Sequence, residues 1–437
     1  MIRLMKTIVV FVLTLLARMV LWKYKPAIIA VTGSVGKTST KDAIFDVLKD
    51  AQWTRKSAKS FNSEIGIPLT ILGLENAWRD LAAWTYNFLK GLKLILFYAE
   101  YPKVLILEIG ADHPGDIRRV TKWLSPEMVV ITRLPEYPVH VEYFSSPEKV
   151  REEKLELLYA LSPQGIFVGN GDDHYIVEVV RDAKFKTYLY GWGEHCDIRG
   201  ESPRVRYEEV NGTRAPHGME FTVRHQGKAY PIFLEGVLGA HMCMAVLGAL
   251  ACGVARGESM ERMLAALLHM ETPRGRMRIL QGASKSVIID DSYNSSPVAA
   301  EAALETLKTV EGKRRIAVLG DMLELGDFAE LAHRHIGALA ANTVDELITV
   351  GSRAAWIADE AERKGFPAEH IHRFNDAEKA GDSLAREVKT GDVILVKGSQ
   401  GSGANMIRLE RLVRRIMANP VQGEKLLVRQ EKEWKRF

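Results

Sequence analysis

Lys37, Thr38 and Ser39 stand directly after a glycine-containing turn in the run IIAVTGSVGKTSTK, residues 28–41. The turn Gly33-Ser34-Val35-Gly36 aims backbone N–H groups at a common point. The free amides at the start of the following helix add to them, and the segment becomes a concave positive site for phosphate oxygens. Lys37 brings a point charge to the outer phosphates, and the Thr38 hydroxyl can enter a Mg²⁺ shell. The usual spacing has a glycine five residues before the Gly-Lys pair; Val31 stands there, and Gly33 inside the turn compensates. A nucleoside triphosphate site is expected.

Three more groups have chemistry to offer, each with a plainer reading beside it. Glu108 ends the apolar run 104–108, the place where open α/β sheets set metal-binding acids; it also reads as a strand-end charge. His140 lies in the loop after the run 128–132, and Lys154 on a helix opening at Pro147. Taken singly, a loop histidine and a helical lysine are most often solvated.

The elements that must position these groups follow from the apolar rhythm. Runs 27–31, 104–108, 128–132 and 165–168 read as buried parallel strands. Between 186 and 238 the alternating segments 186–190, 204–208, 219–223 and 229–234 read as β-hairpins at a sheet edge, and helices are expected over 239–256 and 259–269. A Pro/Gly hinge at 271–276 precedes a second strand–helix alternation, with strands at 286–289, 315–319, 346–350, 370–374 and 392–396. The fold class is α/β: a central P-loop NTPase-like parallel-sheet domain with a β-hairpin edge, plus a C-terminal Rossmann-like domain. The boundaries expected are an N-terminal helix over 1–26, the central domain over 27–272, the C-terminal domain over 273–420 and a charged tail over 421–437. Polar clusters at 290–294, 320–324 and 397–399 sit at strand ends, where such sheets bind ligands.

A chain of 437 residues has room for two or three domains, and a formal charge of +4 with 26% charged residues argues against a nucleic-acid binder. Cys196, Cys243 and Cys252 show no metal-ligand spacing, which points to a reducing, cytoplasmic compartment without disulfides or zinc. Residues 8–22 are apolar apart from Thr14 and Arg18 and carry Arg3, Lys6, Lys23 and Lys25 on their flanks. As a helix this run covers about 22 Å, short of the hydrocarbon layer of about 30 Å, which disfavours a simple transmembrane span. Arg3, Thr7, Thr14, Arg18 and Lys25 share one stripe. Two readings stay open for residues 7–22: peripheral contact with the inner face of the membrane, or docking on protein, including self-association. Residues 81–98, with Trp84, Tyr86, Phe88, Phe97, Lys90 and Lys93, either share that surface or form a core helix.

Six separated stretches resemble the Mur ligases, the ATP-dependent peptide ligases of cell-wall precursor synthesis, in the family's order: VTGSVGKTST (31–40), FNSEIGIPLTIL (61–72), LEIGADHPGDI (107–117), IIDDSYNSSP (288–297), AVLGDMLELG (317–326) and LVKGS (395–399). The resemblance spans residue 28 to about residue 412. It implies ATP with two Mg²⁺ ions and gives the weak groups roles. Lys37 acts on the phosphates; Thr38, Glu108 and His140 are metal-associated; and Lys154 is a lysine that becomes carbamylated, which turns a repelling cation into a hard oxygen ligand. Arg276 matches a phosphate contact, His241, Asp291 and Tyr293 match base and ribose contacts, and Asn62, Glu64, Asp321 and His333 fall near the acceptor and the incoming amine. Three departures are visible, the first being a segment before His140, residues 133–139, that is longer than the family's. Met242 and Ala245 replace two asparagines after His241, and the apolar helix stands where the family has a UDP-sugar-gripping domain. The activity implied is activation of a carboxylate as an acyl phosphate and its joining to an amino acid or dipeptide, with D-alanyl-D-alanine going onto a muramoyl-peptide precursor. The alternatives are a ligase for a lipid-linked, polyglutamate or cyanophycin-type acceptor, or a membrane-associated P-loop ATPase.

Overall fold

The computed structural model describes every residue except 1, 59–63, 78–79, 182, 211–212, 272, 402–405, 432–433 and 435–437, so Asn62 lies outside the described residues. Two sheets organise the chain. The first has nine strands: β1 (Ala27–Thr32), β2 (Thr54–Lys56), β3 (Val104–Glu108), β4 (Met128–Ile131), β5 (Ile166–Asn170), β6 (Lys186–Gly191), β7 (Ile198–Val210), β8 (Thr213–His225) and β9 (Lys228–Glu235), in the order β2-β3-β1-β4-β5-β6-β7-β8-β9. Strands β2 to β6 and β1 are parallel, and β7-β8-β9 form an antiparallel meander. The expected hairpin edge therefore starts one strand later than the alternation suggested. Residues 186–190 pair in parallel with β5 because Tyr190, buried behind the sheet, makes β6 a core strand.

Strand β1 is apolar on both faces, and both faces are covered. Ile29 and Val31 pack with Ala43, Ile44 and Val47 of helix α2 (Lys37–Leu48) and with the helix Ala240–Ala255. Ile28 and Ala30 pack with Leu13, Leu16, Ala17 and Val20 of helix α1 (Ile2–Tyr24), and with helices α3 (Gly66–Leu72) and α4 (Leu81–Leu96). The N-terminal helix is thus one layer of the first unit. At 23 residues it is about 34 Å long, so the length argument against a membrane span does not hold. Its apolar stretch reads short in the sequence because Lys6, Lys23 and Tyr24 are helical too.

The second sheet has six strands: β10 (Arg278–Gln281), β11 (Val287–Asp291), β12 (Arg314–Gly320), β13 (Glu346–Val350), β14 (Ile371–Phe374) and β15 (Asp392–Lys397), ordered β10-β11-β15-β12-β13-β14. All pair in parallel except β10 with β11. The residues expected to form a charged tail instead return to this unit. Leu427, Val428 and Arg429 are buried there.

Candidate active site

The phosphate turn is built by close packing against the next strand. Gly33 has φ +137°, and a Cβ on it would sit 2.1 Å from Thr132 Oγ1. That hydroxyl donates to Val35 O at 2.6 Å and so braces the turn from below. Gly36, at φ +86°, is the residue before α2, a left-handed conformation suited to glycine. Lys37 Nζ folds back to donate to Gly33 O at 2.9 Å, and burial holds its pKa below the usual lysine value against the pull of Glu108.

Parallel pairing of β1 with β3 sets Glu108 opposite Val31, at the mouth of the turn. Its carboxylate accepts from the Thr38 hydroxyl at 3.1 and 3.2 Å, and buried Lys41 lies 3.5 Å from Oε2. Lys41 was not singled out from the sequence, although its place one helical turn after Lys37 puts both on one face of α2. Thr38 and Glu108 juxtapose two hard oxygen donors, a fit for Mg²⁺, which takes one or two protein oxygens and completes its shell with water and phosphate. No cluster of three or more His, Cys, Asp or Glu side chains suited to a metal occurs among the described residues.

His140 closes the same cavity from the loop after β4. It has φ +69°, with Nε2 3.7 Å from Asp112 Oδ1 and Nδ1 3.1 Å from Glu324 Oε2 of the second unit. Burial pushes its pKa down to about 3, and the charges of Lys154 and Lys37 add to the effect, so the imidazole is neutral. Lys154 is buried on the helix Pro147–Leu155; its pKa falls to about 7, chiefly through burial and then through Lys37. Its ammonium makes no hydrogen bond or ion pair among the described residues. Burial and the neighbouring Asp112 and Glu142 raise the Glu324 carboxyl above the usual range.

A cavity of about 540 Å³ lies between the two units, walled by Gly36–Thr38, Glu108 and His140 on one side and by Arg276, Tyr293 and Glu324 on the other. A second of about 740 Å³ continues from Val35 and Gly36 past Arg276 and is lined by Trp192, His241, Asp291 and Lys397. Its walls could take a planar base. Burial lowers His241 to about 4. Met242 and Ala245 line this cavity and bring it no amide of their own; Asn170 is the side-chain amide in its lining. Lys397 Nζ donates to Asp291 at 2.5 Å and to Asn294 O at 3.1 Å, and Met277 N donates to Asp291 Oδ1 at 3.3 Å, so the strand-end acid Asp291 is held by a buried cation.

Tyr293 lies between two guanidiniums. Arg276 stands 4.3 Å from its ring centroid and Arg429 5.5 Å. Arg429 also donates to Ser292 O at 3.1 Å, to Tyr293 O and to Gln400 Oε1 at 2.8 Å, and pairs with Glu410 at 3.2 Å, which Arg408 also contacts. Nothing local in the sequence marks Arg429.

Of the residues expected near the acceptor and amine, Glu64, Asp321 and His333 are described, and their side chains are taken by other partners. Asp321 Oδ1 accepts from Ala354 N at 2.7 Å and so caps the helix Ala355–Arg363. His333, fully buried, donates from Nδ1 to Ala329 O at 2.6 Å and accepts at Nε2 from Met322 N at 2.9 Å; both ring nitrogens are used by backbone, and burial holds the ring neutral with a pKa of about 4. Glu64 pairs with Lys6 of α1 at 2.9 Å. These three shape or border the loops, and none lines either cavity.

Family models match in two places: the Mur ligase middle domain over residues 31–253, and the Mur ligase glutamate ligase domain over residues 275–400. The UDP-N-acetylmuramoyl-tripeptide–D-alanyl-D-alanine ligase of Bacillus subtilis (strain 168) is 29% identical over 408 residues, covering 93% of this chain and 79% of that protein. The ligase of the same name from Escherichia coli (strain K12) is 27% identical over 334 residues, 75% of this chain and 65% of that one. Among solved structures, MurF from Thermotoga maritima in complex with ADP superposes with TM-score 0.74 at 24% identity, over 95% of this chain and 84% of that one. MurF from Acinetobacter baumannii gives 0.72 at 23%, over 89% and 77%. These likenesses establish the fold.

Proposed function

The chain belongs to the Mur ligase family, and from that premise we propose that it joins D-alanyl-D-alanine to the terminal carboxylate of a muramoyl-tripeptide precursor at the expense of ATP. The observation that carries the proposal is the one cavity in which the phosphate turn, Glu108 and His140 face Arg276 and Glu324 of the second unit. A triphosphate in the turn would lead its base into the adjoining cavity, past Arg276. The rival expectation of a membrane-associated ATPase is set aside by the family assignment.

The acceptor carboxylate oxygen attacks the γ-phosphorus of ATP; the bond to the β–γ bridging oxygen breaks, giving an acyl phosphate and ADP. The amine nitrogen then attacks the acyl carbon, inorganic phosphate leaves and the nitrogen gives up its proton. Lys37 must let go of Gly33 O to reach the transferring phosphoryl group, a swing its flexible stem allows. Arg276, above Tyr293, is set to neutralise phosphate charge from the second unit. Closing the cavity excludes water, which would otherwise hydrolyse the acyl phosphate.

Thr38 and Glu108 would hold a Mg²⁺ ion, which when bound would supply Lewis-acid neutralisation of the phosphate oxygens. We also propose that Lys154 becomes carbamylated, because a buried amine whose pKa falls to about 7 and which has no partner among the described residues offers the neutral nucleophile that CO₂ requires. We place the reaction in the cytoplasm; three free, buried cysteines accord with a reducing compartment.

The test is direct. The protein is incubated with ATP, Mg²⁺, UDP-muramoyl-tripeptide and D-alanyl-D-alanine, with product mass and ADP followed together. One amide per ADP, with neither formed when the dipeptide or tripeptide is left out, is the expected result. ADP release without an acceptor, or amide formation only with glutamate, would overturn the assignment.

A further inference from the structure

Helices α1 and α4 lie side by side and run the same way: Leu16 meets Gly91, while Lys23 Nζ donates to Leu94 O and Ile95 O, and the Tyr24 hydroxyl to Leu94 O. Each buries one apolar face in the core and leaves another uncovered. On α1 the outward residues are Ile8, Phe11, Leu15, Met19 and Trp22, at helical spacings of three and four; on α4 they are Tyr86, Leu89, Leu92 and Leu96, continuing into Phe97 and Tyr98. Phe11 is 68% exposed, Leu96 65%, Trp22 80% and Tyr98 91%. A contiguous apolar surface of this extent needs a cover.

The charges say which cover. Neither α1 nor α4 contains an acidic residue, whereas Arg18, Lys90 and Lys93 are exposed among the apolar side chains, and Lys25 follows at the end where Trp22, Phe97 and Tyr98 gather. Pairing this face with a second copy would set the same cations against each other, with no acid on either helix to answer them. An anionic bilayer surface answers them all. Tryptophan and tyrosine beside lysine at one rim match the side chains that settle at headgroup level. The helix is also apolar enough to cross a bilayer, but its other face is committed. Leu13, Leu16, Ala17 and Val20 are core residues, Lys23 and Tyr24 are bonded to the end of α4, and only Lys25 and Pro26 separate α1 from β1. The folded unit holds α1 flat.

We propose that the outward face of α1 and α4 docks in the plane of a membrane carrying anionic lipid, seating Trp22, Phe97 and Tyr98 among the headgroups with Lys90 and Lys93 against the lipid phosphates. None of these residues lines either cavity, so the docking is independent of the ligase reading and leaves both cavities open to solution. The effect is to hold a water-soluble catalytic unit at the bilayer surface.

Flotation of the full chain with vesicles of phosphatidylcholine alone, and of phosphatidylcholine with one third phosphatidylglycerol, at low and high salt, tests this. The protein floats with the anionic vesicles at low salt and is released by high salt. The pair Lys90→Glu with Lys93→Glu lowers partitioning by about tenfold or more, as does Phe11→Ser with Trp22→Ser, while kcat/KM on soluble substrates stays at the wild-type value and so reports that each variant folds. Failure of the wild type to float on anionic vesicles overturns the proposal, as does flotation that both variant pairs leave unchanged. So does a lipid-free particle of twice the chain mass that the Phe11/Trp22 pair dissociates, which would show that a second copy covers the face. Should a variant lose activity, the lipid and salt series on the wild type decides alone.

Discussion

Arg429→Ala tests whether the C-terminal return is part of the nucleotide wall. The guanidinium is nearly fully buried and donates to Ser292 O, Tyr293 O and Gln400 Oε1 while pairing with Glu410. Removing one partner of a buried ion pair costs about 3–5 kcal/mol. Because Arg408 stays in contact with Glu410, the lower end applies, about 3 kcal/mol. At about 2–4 °C per kcal/mol, thermal unfolding of the second unit moves down by roughly 6–12 °C. Function reports the same contact by a different route. With the carbonyls of Ser292 and Tyr293 released, the ring under Arg276 loses its support, and KM for ATP rises by about tenfold while kcat changes less, since binding and not phosphoryl transfer is affected. Arg429→Lys keeps a charge beside Glu410 but cannot fork to two carbonyls, so it recovers much of the stability and little of the KM. The assays are ADP release against ATP concentration and calorimetry on the same samples. A wild-type KM in Arg429→Ala, or a Lys variant that restores KM and stability together, would refute the positioning role.

Gly33→Ala forces a Cβ to 2.1 Å from Thr132 Oγ1 at a left-handed φ, so ADP affinity by calorimetric titration falls about tenfold or more, whereas a wild-type affinity would mean that the turn is looser than the packing indicates. Lys154→Ala abolishes ligation, and added formate or acetate restores part of it by supplying the missing carboxylate oxygens; full activity without them would exclude the carbamate. Lys37→Ala lowers kcat by about a hundredfold or more in the ADP-release assay, with little change in the melting temperature. Acid should destabilise the fold. His140, His241 and His333 have folded pKa values of about 3, 4 and 4 against 6.5 when unfolded, so the unfolded chain binds more protons as pH falls below 6.5, and stability drops toward pH 4. Fully buried His333 alone is worth about 3 kcal/mol once pH is below both values. Buried Asp290, raised to about 6, opposes this with the reverse sign between pH 6 and 3.8. Urea midpoints that are flat from pH 7 to pH 5 would count against neutral burial of the histidines.

What could be read from the sequence is what short stretches of chain determine. The phosphate turn needs a strand, two glycines at left-handed φ and a helix start, all within fourteen residues, and each of those requirements is a residue type. The central parallel strands of both sheets are legible for the same reason, because a parallel strand buried on both faces must be apolar throughout, whereas the short edge strands β2 and β10 carry no such run and are not among the strands expected. Glu108 reads correctly as a strand end, since the register of β3 beside β1 follows from two apolar runs of nearly equal length.

The rest depends on which distant segments meet, and residue type does not encode that. Asp321 belongs to the same polar strand-end text as Glu324 and His333 follows on the helix Ala329–Ala341, yet of the three only Glu324 turns into the cavity. The loop after β12 needs a helix cap and a bracket for Met322 N, and the nearest acid and imidazole are consumed in making them. Glu64 likewise finds Lys6 of α1, a partner 58 residues earlier in the chain. Arg429 is the extreme case, since it reaches Ser292 from 137 residues away. A charged segment at a chain end reads as solvated. It packs here because Glu410 and the carbonyls of Ser292 and Tyr293 would otherwise be buried with fewer donors, a demand created by the second sheet only after β11 and β15 have paired. Local sequence therefore specifies the phosphate site, while the wall opposite it is specified by unsatisfied polar groups that exist only in the folded unit.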